Sequence, residues 1–108
     1  MSAAVAEDRI FQVLADPSRR AIFESLTRGE AAVKDLTARF DISQPAVSQH
    51  LAALKDAGLV SGRREGRCAY YRVEPRGMKP LIDWIAHYRA FWTDRVDRLA
   101  RLLEQMDE

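Results

Sequence analysis

At 108 residues, with 47% hydrophobic and 31% charged side chains, the chain can bury one compact core and is too short for two domains. Its lone cysteine, Cys68, excludes an intrachain disulfide or a cysteine-rich zinc site within one chain, and no stretch approaches the roughly 20 apolar residues of a membrane span, which fits a cytoplasmic protein. The net charge of +1 favours no particular partner by itself, but residues 43–76 carry six basic and three acidic side chains against near balance on either side, which concentrates a phosphate-attracting excess in the middle third.

In chain order, residues 1–7 read as a mobile N-terminus and 8–106 as a single domain. From Asp8 to Leu14, Ile10, Phe11, Val13 and Leu14 recur at near-helical spacing. Asp16-Pro17 stops that helix and opens a second: Asp16 can accept from a free helix N–H, and proline's fixed φ and missing N–H suit a first turn. The second helix turns Ile22, Phe23 and Leu26 inward and ends at Gly29. Ala31 to Phe40 is predicted helical, with Val33, Leu36 and Phe40 at i, i+3, i+7. After a break at Asp41-Ile42, Ser43 caps a fourth helix with Pro45 in its first turn. Its apolar stripe is Val47, Leu51 and Leu54, and its other face bears Gln44, Ser48, Gln49 and Ala52.

Gly58 ends that helix, and Val60 to Val73 reads as a β-hairpin with Glu65-Gly66 at the tip. Alternation sends Tyr70 and Tyr71 to opposite faces. Pro75 and Gly77 break the strand, and a helix is predicted from about Met78 to Met106. Along it Leu81, Ile85, Tyr88, Trp92, Leu99, Leu102 and Met106 follow steps of four and three, with Arg95 the one polar occupant of the register; Ile82, Trp84, Phe91, Val96 and Leu103 widen the stripe. At 1.5 Å per residue this helix is roughly 40 Å long, at least as long as such a domain is wide. Part of it is therefore expected to bury against a second copy of the chain, through Phe11, Leu81, Ile85, Tyr88, Trp92 and Leu99.

The runs Leu14-Ala-Asp-Pro-Ser-Arg-Arg-Ala-Ile22, Ser43-Gln-Pro-Ala-Val-Ser-Gln-His-Leu51 and Leu54-Lys-Asp-Ala-Gly-Leu-Val60, with Arg63-Arg-Glu-Gly-Arg67 and Tyr70-Tyr-Arg72, resemble in order and spacing the ArsR/SmtB family of bacterial repressors over residues 8–75. The resemblance implies a mainly α fold with a small β-hairpin wing, a winged helix-turn-helix dimeric through its terminal helices. It also implies a homodimer that binds a double-stranded, inverted-repeat DNA operator and represses transcription.

The residues point the same way. Short or planar hydrogen-bonding side chains on a helix's leading turns can reach base edges or nearby phosphates, which nominates Ser43, Gln44, Ser48, Gln49 and His50. Arg63, Arg64 and Arg67 flank a tip able to approach phosphates or a narrow minor groove. The plainer readings are a solvated helix face and a solubilising charge run, and the rival class is a winged-helix module used only for protein contacts.

Metal-responsive members, as the resemblance implies, use cysteines in the third helix or Asp and His residues on the last. Glu30-Ala-Ala-Val-Lys-Asp-Leu36 has no cysteine, and the last helix offers only Asp83 and His87 on one face, with Asp94 and Asp97 distant, so no metal or cofactor is expected. A metal- or redox-responsive repressor is the alternative within the class; Cys68 beside Arg67 is its one thiol, although a lone strand cysteine is more often structural. Trp84, Tyr88, Phe91 and Trp92 are explained most simply by core and dimer burial, with a pocket for a small apolar effector as the sharper reading. Neither a nucleophile-base pair nor a glycine-rich phosphate loop marks an enzyme.

Overall fold

The computed structural model describes residues 3–107. Its elements run α1 (Ala3–Leu14), α2 (Pro17–Leu26), β1 (Ala31–Ala32), α3 (Val33–Phe40), α4 (Gln44–Asp56), β2 (Val60–Glu65), β3 (Cys68–Val73), a 3-10 turn (Pro75–Met78) and α5 (Lys79–Asp107). The first helix starts at Ala3 rather than near Asp8, so part of the stretch expected as a mobile N-terminus is its opening turn. Ala-Ala-Val-Ala-Glu is a strong helix former even though it lacks the apolar spacing of Ile10 to Leu14.

Local chemistry sets the starts of α2 and α4. Asp16 accepts from the Arg19 backbone N–H at 3.0 Å, and Pro17 occupies the first turn of α2. That N–H, ahead of any other cause, holds the Asp16 carboxyl below its ordinary value of 3.8. A depressed folded-state pKa adds stability above the ordinary carboxylate range that is lost as pH falls through it. Asp16→Asn keeps a capping acceptor without the charge, so its thermal midpoint should fall less steeply with acid than that of the parent. Parallel melts at neutral and acid pH check this.

Ser43 Oγ likewise accepts from Ala46 N–H at 3.2 Å to open α4, and Asp41, left-handed at φ 52°, closes α3 two residues earlier. The helix-turn-helix is thus fixed by a left-handed stop and a hydroxyl cap within three residues.

The sheet departs from the expected hairpin. Ala31 and Ala32 are not the first residues of α3 but an edge strand, antiparallel to β3 with Ala31 opposite Tyr71 and Ala32 opposite Tyr70. The order is β1-β3-β2, a three-stranded wing. Without β1, the backbone groups of β3 would lie unpaired beside the core; two buried alanines let a strand approach and satisfy them.

One core joins the helices to the base of the sheet: Ile10, Ile22, Leu36, Val47, Leu51, Leu54 and Leu59 are essentially inaccessible. Fully burying each such side chain is worth roughly 1.5–3 kcal/mol, and the stripes read at 3.6-residue spacing in α2, α3 and α4 are the ones that converge here.

At its start α5 leans on this body. Leu81, expected at the contact with a second copy, packs against the core of its own chain, and Trp84 meets Phe11 edge to face at 5.4 Å. Beyond that the helix projects. The extents of 61 × 36 × 20 Å and radius of gyration of 17.9 Å exceed the roughly 13 Å of a compact chain this long. On the projecting part, Ile85, Trp92, Val96, Leu99, Leu102 and Met106 are half exposed or more and Phe91 nearly so. No helix among the described residues is long and apolar enough to cross a membrane.

Candidate nucleic-acid interface

The polar face of α4 and the inner face of the wing enclose a cationic surface. Gln44 and Ser48 lie one helical turn apart and are exposed. Together with Lys34 of α3 and Arg64 and Arg67 of the wing they line a cleft of about 280 Å³. A neighbouring cleft of about 200 Å³ continues along the sheet between Lys55, Arg63 and Arg64. No carboxylate is among the residues lining either one. Five cations, Lys34, Lys55, Arg63, Arg64 and Arg67, therefore line the two clefts, three of them beside Gln44 and Ser48 in the first. Such a surface attracts phosphate and offers hydrogen bonds to base edges.

Of the recognition-helix residues nominated from sequence, Gln44 and Ser48 join the cleft. Ser43 spends its hydroxyl on the α4 cap. Gln49 is exposed on the helix but lines neither cleft. His50 is half-buried beside Asp16, whose carboxyl it helps to lower, and its Nδ1 is buried without a hydrogen-bond partner among the described residues.

The three tip arginines also separate. Arg64 and Arg67 line the first cleft, whereas Arg63 borders only the second and is held by carboxylates. Its Nε and Nη2 donate to Glu30 at 3.2 and 2.7 Å, its Nη1 donates to Glu65 at 2.8 Å, and its guanidinium lies 4.7 Å from the centre of the Tyr70 ring. The paired hydrogen bonds from Arg63 hold the Glu30 carboxyl below its usual range and, with Glu65, raise the guanidinium above its own.

Lys34 and Lys55 were not singled out by sequence reasoning. Both fall in basic or mixed segments, and the only available signal was their position, one in the first turn of α3 and one in the last turn of α4, at the helix ends bordering the wing.

The donor sets of the metal-responsive family members have no counterpart here. No group of three His, Cys, Asp or Glu side chains able to hold a metal occurs among the described residues. Asp83 pairs with Lys79 at 2.7 Å, and His87 stands edge-on to Tyr88 at 4.8 Å. Cys68 is a free, half-buried thiol in the wall of the first cleft.

Comparison with known proteins agrees with this geometry. Residues 16–61 match the family described as bacterial regulatory protein, arsR family. The chain is 40% identical over 104 residues to the HTH-type transcriptional regulator Rv2034 of Mycobacterium tuberculosis, covering 96% of this chain and 94% of the relative. It is 32% identical to the transcriptional repressor SdpR of Bacillus subtilis, covering 75% and 90%. Among solved structures it resembles the homodimeric winged helix-turn-helix DNA-binding domain of a possible ArsR-family regulator from Mycobacterium bovis, at 30% identity and a TM-score of 0.65, covering 81% of this chain and 83% of that one. With a helix-turn-helix, a basic three-stranded wing and a relative matched over nearly its whole length, the chain belongs to the ArsR/SmtB family of winged helix-turn-helix DNA-binding transcriptional regulators, which are not enzymes.

Proposed function

We propose that two copies of the chain join through the apolar face of α5 and Phe11 of α1, and together repress transcription by occupying an inverted-repeat operator in the cytoplasm. The two α4 helices then enter successive major grooves roughly 34 Å apart. Gln44 and Ser48 read base edges and Gln49 extends that face, while Arg64, Arg67, Lys34 and Lys55 hold the flanking phosphates. The observation carrying this reading is the convergence of Gln44 and Ser48 with Lys34, Arg64 and Arg67 in a cleft free of carboxylates, with Lys55 in the cleft beside it. Repression is favoured by the repressor SdpR, to which the chain is similar over most of its length. The aromatic group Phe11, Trp84 and Tyr88 is accounted for by intrachain packing and burial between subunits, without an apolar effector.

The test starts from an operator selected out of bound genomic fragments. Gln44→Ala and Ser48→Ala should weaken that operator by roughly one to two orders of magnitude, as removal of base recognition worth about 1–3 kcal/mol requires, and leave scrambled duplex nearly unaffected. Arg64→Ala and Arg67→Ala should instead weaken both duplexes and flatten the dependence of log K on log salt by about 0.9 for each phosphate no longer neutralised. Fluorescence anisotropy across a salt series measures both. Unchanged binding in all four variants would favour a module for protein contacts.

A further inference from the structure

The two faces of the wing differ in charge. Arg63 opposite Tyr70 and Ser61 opposite Arg72 alternate with Arg64 opposite Ala69 and Gly62 opposite Tyr71. Strand alternation therefore sets Arg63, Tyr70, Ser61 and Arg72 on one face and Arg64 on the other. On the face bearing Arg64, no carboxylate lines the clefts it shares with Lys34, Lys55 and Arg67; Arg63 borders the second of them from the strand edge, with its N–H groups turned to carboxylates on its own side. On the face bearing Arg63, charge is cancelled: that side is walled by Glu30, Glu74, Arg63 and Arg72, two anions and two cations. Arg63 commits three N–H directions to Glu30 and Glu65, and Arg72 donates to Ser61 Oγ at 3.2 Å.

Glu30 has no evident part in building the wing. It precedes β1, lies 33 residues from Arg63, and reaches a hairpin already closed by six cross-strand pairs. The pair is also exposed, with side-chain accessibilities of 50% and 32%, a setting in which an ion pair adds little to folding stability. What the contact does change is the charge at the wing tip, three residues from Gly66. The Glu30 carboxylate bonded two-pronged to Arg63 neutralises that guanidinium, and with Glu65 on the third N–H direction the cluster is net negative and repels phosphate.

Resting on the DNA-binding reading above, we infer that Glu30 sets how tightly the wing grips DNA by withholding Arg63 from the phosphate backbone, leaving Arg64 and Arg67 as the two working arginines of the three. Glu30 is then a positioning residue that lowers non-specific affinity. The protein gives up part of its general attraction to DNA, and the share of binding carried by Gln44 and Ser48 rises.

The experiment measures binding of random-sequence duplex DNA across a salt series for the full-length protein, Glu30→Gln, Arg63→Gln and the double variant, with thermal melting of each. Glu30→Gln should bind several-fold more tightly at low salt, with a slope of log K against log salt steeper by about 1.8, one more phosphate for each of two wings. Arg63→Gln should keep the parent slope, and the double variant should match Arg63→Gln because the freed cation is gone. A steeper slope cannot come from a merely structural role, since loosening the wing only draws cations away from phosphate.

The inference is overturned if Arg63→Gln flattens the slope while Glu30→Gln does nothing, for Arg63 would then already touch phosphate. It is equally overturned if Glu30→Gln weakens binding at unchanged slope, which would make Glu30 a brace for the wing. Both results leave the DNA-binding reading intact. Failure of the parent protein to bind any duplex at low salt would remove that reading and this inference together.

Discussion

Trp92→Glu is expected to convert the protein from dimer to monomer. Trp92 is 50% exposed on a single chain and packs edge to face with Phe91 at 5.4 Å, on a helix surface that also exposes Ile85, Val96, Leu99 and Leu102. A contiguous apolar face of this kind is uncommon on a soluble monomer and marks a contact surface. A glutamate there must either stay in water, which holds the helices apart, or enter the contact as an unpaired charge at a cost of roughly 3–5 kcal/mol. Two-fold symmetry places the charge on both chains, so dimer dissociation should strengthen by at least two orders of magnitude. Sedimentation velocity at micromolar concentration distinguishes the two states. Because Trp92 is not part of the buried core, the helical signal of the monomer should persist. Operator affinity should fall with the loss of paired half-sites, while weak binding to random DNA through each wing remains. A dimer that survives the substitution would place the subunit contact elsewhere on the molecule.

The parts of the fold that were readable in the sequence are those determined within one turn of chain. Asp16-Pro17 and Ser43-Gln44-Pro45 announce helix starts because a cap and a proline act on their immediate neighbours, and both sites behave accordingly. The strand at Ala31-Ala32 is different: alanine carries no strand preference, and the pairing exists only because Tyr70 and Tyr71 arrive from the wing. Leu81 shows a related limit. The four-three spacing of α5 correctly gathers its apolar residues on one side, yet spacing alone does not tell which turns meet the chain's own core and which a second copy.

The candidate site was legible as a region but not residue by residue. Alternation separates Tyr70 from Tyr71, and the same rule separates Arg63 from Arg64. That Arg63 is the one paired with a carboxylate depends on Glu30, 33 residues away, and no local pattern supplies that. Lys34 and Lys55 join the site for the same kind of reason, since only the packing of α3, α4 and the sheet sets them in two adjoining clefts. His50 sits in the helix run that resembles the family, yet the turn of α4 carries it toward Asp16 and out of the cleft.

Gly77→Ala should be the most damaging single methyl in the molecule. A Cβ built on Gly77 would lie 1.6 Å from the carbonyl oxygen of Gly58 and 2.5 Å from its carbon, well inside van der Waals contact. These are backbone atoms, so no rotamer relieves the overlap. Gly58 has little room to move: at φ +79° it ends α4, its N–H donates to the Lys55 carbonyl at 2.9 Å, and Leu59 after it is fully buried. Gly77 is tied on the other side, donating to the Glu74 carbonyl at 3.0 Å within the turn that starts α5. Overpacking of this kind costs about 3 kcal/mol or more, enough to lower the thermal midpoint of a chain this size by more than about 10 °C. Gly66→Ala is the control. Its φ of +62° strains an alanine, but nothing lies within 4 Å, so it should cost only about 1 kcal/mol. On the proposed function the consequence reaches DNA binding, because the Gly58–Gly77 contact joins the end of α4, the helix assigned to DNA, to the base of α5, the helix assigned to the subunit contact. Variants that relieve the overlap by shifting α5 would change the separation of the two α4 helices and lose the inverted-repeat site before losing affinity for a single half-site. A Gly77→Ala protein that melts with the parent and binds the full operator equally well would mean that these two backbones do not touch and that the helix spacing is set elsewhere.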